Sequence, residues 1–81
     1  MATKILKFGA EWCSPCSAQD DILESVDTVP VEHIDVDESG ERATEYNIRS
    51  VPTLVILNDG EEIERFIGVT QLEQIESAIE S

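Results

Sequence analysis

The sequence predicts an α/β fold of order βαβαββα, a four-stranded mixed sheet flanked by helices, and three stretches carry that expectation. An apolar run at Ile5, Leu6 and Phe8 feeds Ser14-Pro15, a pair that starts helices. Thr53-Leu54-Val55-Ile56-Leu57 is a continuous apolar run ending in Asn58-Asp59-Gly60, a strong hairpin signal. Leu72, Ile75, Ala78 and Ile79 recur at helical spacing between acids. With 81 residues the chain supports one modest core, so one domain over residues 1–81 is expected.

Each element follows from its local chemistry. Thr3 to Phe8 alternates weakly, and Gly9-Ala10 ends it as a strand leaving the core would. After Ser14-Pro15, Ala18, Ile22, Leu23 and Val26 form the apolar stripe expected of the first helix. Pro30 breaks the chain before Val31 to Val36, whose β-branched residues suggest a second strand, and Asp37-Glu38-Ser39-Gly40 reads as a turn. Glu41 to Tyr46 suits a short polar helix, Glu62 to Ile67 should pair antiparallel with the strand before it, and the closing helix should start near Thr70.

Eighteen acids against five bases give a formal charge of −13, which makes nucleic acid an unsuitable partner because phosphate binding needs a positive surface. The same self-repulsion is relieved by salt, so a high-salt setting is one expectation and simple solubility the other. No apolar run suits a signal sequence or a membrane span, and the expectation is a soluble cytoplasmic protein, monomeric and without membrane contact. Two cysteines are too few for a secreted disulfide scaffold, and bridging so short a loop stabilises by only about 2 kcal/mol.

Those two cysteines, in Trp12-Cys13-Ser14-Pro15-Cys16, are the informative pair. On a helical first turn, a two-residue gap lets the sulfurs meet, while the helix amides favour negative charge on the first. Cys13 is then the attacking thiolate and Cys16 the resolving thiol. The competing assignment is half of a zinc site, but a closed site needs four ligands and the chain offers only His33 and carboxylates besides. An iron–sulfur centre needs still more thiolates. No metal and no organic cofactor are expected.

Phe8-Gly9-Ala10-Glu11-Trp12-Cys13-Ser14-Pro15-Cys16 resembles the active-site segment of thioredoxins, and Tyr46-Asn47-Ile48-Arg49-Ser50-Val51-Pro52-Thr53 resembles the segment in which that family carries a cis proline beside the cysteines. Asn58-Asp59-Gly60 and Gly68 resemble its later hairpin and substrate-groove glycine, so the similarity covers nearly the whole chain. The resemblance implies a redox-active centre that reduces protein disulfides, served by a thioredoxin-reductase-type electron donor. It also implies that Trp12, Val51, Pro52 and Gly68 meet substrate.

Departures from the family pattern sharpen the expectations. The usual thioredoxin begins with an additional strand and helix, whereas here the first strand leads directly to the cysteines, giving a glutaredoxin-sized minimal fold. Where the family commonly carries a buried aspartate assisting the second thiol, the chain has Lys7, and the family's nearby lysine falls at His33. Lys7 and His33 are therefore candidate modulators of thiol ionisation. The plainer expectation is that Lys7 snorkels to the surface and His33 lies on an exposed strand face. Two rival functions stay open: a glutathione-dependent glutaredoxin, for which Ile67-Gly68-Val69-Thr70 lacks the usual second glycine and acid, and a non-catalytic binding or metal-carrier module on the same scaffold.

Overall fold

A computed structural model describes residues 2–80; the ends of the expected domain, Met1 and Ser81, lie outside the described residues. The elements follow the expected order: β1 (Thr3–Gly9), α1 (Ser14–Leu23), β2 (Val31–Asp35), α2 (Gly40–Glu45), β3 (Thr53–Asn58), β4 (Glu61–Ile67) and α3 (Leu72–Ile79). Among the described residues, no helix is long and apolar enough to cross a membrane.

The strands form one mixed sheet in the order β2-β1-β3-β4, with β1 parallel to β2 and antiparallel to β3, and β3 antiparallel to β4. Central β1 and β3 are almost wholly buried, as strands covered on both faces must be. Alternation along β1 sorts its side chains between two cores. Ile5 joins Leu23, Leu54, Ile56, Ile75 and Ala78, on the face that α1 and α3 cover. Leu6 and Phe8 join Ile34, Val55 and Leu57 on the other face, where the Phe8 and Tyr46 rings stand 5.6 Å apart beside α2.

The tight turn between β3 and β4 forms as its residues dictate. Asp59 and Gly60 take φ of 53° and 84°, the pair of positive values that a two-residue hairpin turn demands. Val51-Pro52 is cis, as the family resemblance implies.

The first helix departs from its expected stripe. Ala18 is exposed and Val26 lies beyond the helix, half-buried against the core. The buried face runs instead through Cys16, Gln19 and Leu23, an i, i+3, i+7 series. Gln19 holds its buried place because both ends of its amide are satisfied: Nε2 donates to the Thr70 carbonyl at 3.1 Å, and the Thr70 amide donates to Oε1 at 2.7 Å. A polar side chain so paired can occupy a core position.

Candidate active site

Three elements converge on the cysteines. β1 delivers the chain to Ala10, a turn places Cys13 as the residue capping α1, and Pro15 fixes the first turn of that helix. The Cys16 amide donates to the Cys13 carbonyl at 3.2 Å, and the two sulfurs are joined as a disulfide with the Cα atoms 5.3 Å apart. That separation is ordinary for a bridge, so the helical turn holds the pair in bonding position with no backbone rearrangement. In this oxidised form Cys13 is 6% and Cys16 2% exposed. Cys13 lies at the end of α1 where unpaired backbone amides favour an anion, and Cys16 is packed beneath it.

Trp12 is 69% exposed, with its indole Nε1 donating to Asp37 Oδ2 at 2.8 Å. It shares a shallow groove of about 170 Å³ with Val36, Ile48, Arg49, Ser50 and Val51. Pro52 is buried, and its carbonyl accepts a 2.9 Å hydrogen bond from the Gly68 amide, which fixes the β3 entrance against the end of β4. Gly68 has φ of 91°, where a side chain would be strained. On either side of it Ile67 and Val69 are exposed. The residues expected to meet substrate thus fall into two linked groups: Trp12 with Val51, and Pro52 with Gly68.

The expectation that Lys7 reaches the surface is overturned. Its side chain is only 7% exposed and its Nζ lies 2.9 Å from Asp20 Oδ1. The cause is strand alternation: Lys7 shares a face with Ile5 and Gly9, the face that α1 covers, and Asp20 on α1 meets it there. His33 is the β2 partner of Lys7 in the parallel register. Its side chain is half-exposed as expected, yet its Nδ1 also approaches Asp20 Oδ1, at 3.4 Å.

Four further residues shape the site without a local signal of that role. Asp20 stands four positions after Cys16, a spacing that places both on one helix face. Gly9 provides room: a Cβ there would stand 2.5 Å from Lys7 Nζ and 3.3 Å from Cys16 Sγ. Gln19 ties α1 to the segment before α3, and Asp37 holds Trp12. No spacing rule marks the last two.

Comparison with known proteins agrees with this geometry. The family model described as Thioredoxin matches residues 2–81. The chain is 36% identical over 69 residues to a thioredoxin of Chlamydia trachomatis, covering 80% of this chain and 68% of that one. It is 36% identical over 77 residues to a thioredoxin of Bacillus subtilis, covering 89% and 74%. Among solved structures, a point-mutant thioredoxin from Halobacterium salinarum superposes with a TM-score of 0.90 at 34% identity, covering 96% of this chain and 72% of that one.

Proposed function

The chain belongs to the thioredoxin family, a protein-disulfide reductase by that membership, and from this premise we propose that Cys13 attacks substrate disulfides while Cys16 resolves the product. The observation that carries the proposal is the Cys13–Cys16 disulfide at the start of α1, flanked by an exposed tryptophan and a groove.

In the reductive direction the Cys13 thiolate forms a bond to one substrate sulfur, and the substrate disulfide breaks to expel a thiolate that takes a proton from water. Cys16 then loses its proton and attacks Cys13 Sγ. The internal disulfide forms, the mixed disulfide breaks, and the second substrate thiolate leaves, so two electrons have passed to the substrate. A thioredoxin-reductase-type donor returns the pair to the dithiol. Trp12, Val51, Pro52 and Gly68 form the rim on which an extended protein substrate rests, the exposed Ile67 and Val69 adding apolar contact. The reducing cytoplasm is the matching compartment, and a monomer suffices for the reaction.

Two observations favour this donor over glutathione. The Gly68 and Thr70 amides are already engaged, by Pro52 and Gln19, and the chain's net charge repels an anionic tripeptide. The test is insulin reduction coupled either to thioredoxin reductase or to glutathione with its reductase. Turnover with the first donor, lost in Cys13→Ser, supports the proposal, whereas turnover only with glutathione overturns the donor assignment. A Cys16→Ser protein should accumulate mixed disulfides; equal insulin turnover by Cys13→Ser and the unmodified chain rejects Cys13 as the attacking thiol.

A further inference from the structure

Resolution requires Cys16 to ionise, and its surroundings oppose that: the residue is 2% exposed, and burial disfavours a thiolate. One cation lies within reach. The position a Gly9 Cβ would occupy is 2.5 Å from Lys7 Nζ and 3.3 Å from Cys16 Sγ, so the separation of nitrogen and sulfur is at most the sum of those distances. Lys7 is itself buried and held by Asp20, whose Oδ1 is sealed from solvent. An open cleft of about 520 Å³ is lined by Lys7, Cys16, Asp20 and His33 together.

We propose that Lys7 is the positioning residue that makes Cys16 ionisable, with Asp20 fixing and partly offsetting its charge. The inference rests on the resolving role given to Cys16 above. Within the cleft, the charged and titratable groups facing this pair are Glu11 from the turn, Asp20 from α1, Glu24 just past the end of α1, and His33 and Asp35 from β2. All but His33 are acidic and oppose a thiolate, and Lys7 is the buried cation placed to favour one. The Cys16 proton leaves to cleft water, and the thiolate then attacks Cys13 Sγ. The expelled substrate thiolate takes up a proton from bulk water, so the exchange is proton-neutral.

Two substitutions should move the Cys16 thiol in opposite directions. Lys7→Met keeps the side chain's bulk but removes the cation and unmasks Asp20. Asp20→Asn keeps the shape but frees the Lys7 charge. In a Cys13→Ser background, where Cys16 is the sole thiol, its pKa is read from the pH dependence of ultraviolet thiolate absorbance. At the bound set by Gly9, one charge shifts a thiol by about one to two pH units, a ten- to hundredfold change in thiolate fraction. Lys7→Met should raise the value by about that much, and Asp20→Asn should lower it. A purely structural role would not produce opposite signs. A change below about 0.3 units in Lys7→Met, or an Asp20→Asn value that does not fall, overturns the proposal. Should Lys7→Met fail to fold, Asp20→Asn decides alone. Because the readout is a thiol titration, it stays informative if the insulin assay rejects the catalytic scheme.

Discussion

Replacing Gln19 by leucine tests how α1 is anchored to the substrate side of the molecule. Leucine nearly conserves volume, so packing is kept while both hydrogen bonds to Thr70 vanish. Thr70 is buried, and neither its amide nor its carbonyl gains water in exchange. Each buried backbone group left unpaired costs about 1–3 kcal/mol, and the greater apolarity of leucine returns part of that, so a net loss of about 2–4 kcal/mol is expected. At about 4–8 °C per kcal/mol for a domain of this size, the thermal midpoint should fall by roughly 10–30 °C. Gln19→Glu adds a signature in pH. Its carboxylate can still accept from the Thr70 amide but faces the Thr70 carbonyl, and burial raises the folded-state carboxyl pKa above the unfolded one. Stability relative to the unmodified chain should therefore be greatest below about pH 4.3, the unfolded value, and be lost as pH rises through the folded value. Denaturant unfolding at a series of pH values measures both effects. A Gln19→Leu loss below about 1 kcal/mol, or a Gln19→Glu penalty that grows on acidification, would refute the anchoring argument.

Three further outcomes are expected. Gly9→Ala drives a methyl against the Lys7 ammonium and Cys16 Sγ, so denaturant unfolding should register a loss of about 1–3 kcal/mol, and the Cys16 titration should shift with the displaced lysine. Hydrogen bonds from Lys4 and then Arg42 hold the Glu32 carboxyl below its ordinary value of 4.5. Its stabilisation is therefore complete above that value and lost as pH falls through the lower folded one, and Glu32→Gln should flatten the acid limb of a stability–pH curve. Finally, screening the net charge of −13 left by 18 acids and 5 bases should raise the thermal midpoint in molar potassium chloride; a midpoint that falls would remove self-repulsion as a determinant of stability.

Where each backbone choice was dictated by neighbouring residues, the sequence was a sufficient guide. Ser14-Pro15 started α1, Asp59-Gly60 formed the hairpin, and Thr53 to Leu57 became a strand buried on both faces. What escaped depended on pairing across the fold. Gln19 is polar and carries no local mark of burial, because its licence to be buried comes from Thr70, 51 residues away. The burial of Lys7 is likewise invisible until β1 is known to be covered by α1, with an acid on the covering face. His33 meets the same acid only through the β1–β2 register, which nothing local sets.

The exchange of charge signs around the second cysteine then has a structural logic. The family resemblance implies a carboxylate on the strand leading to the cysteines and a lysine on its neighbour; here those places hold Lys7 and His33. A buried ammonium with no counter-charge would destabilise the fold or shed its proton. Asp20 supplies that counter-charge from the helix instead of the strand, four residues after Cys16, and so returns a carboxylate to the same pocket. The strand therefore contributes the cation nearest the sulfur and the helix contributes the anion, which is why removing one or the other should move the thiol in opposite directions. If both substitutions moved it the same way, the pair would be a buried structural ion pair that happens to lie beside a cysteine.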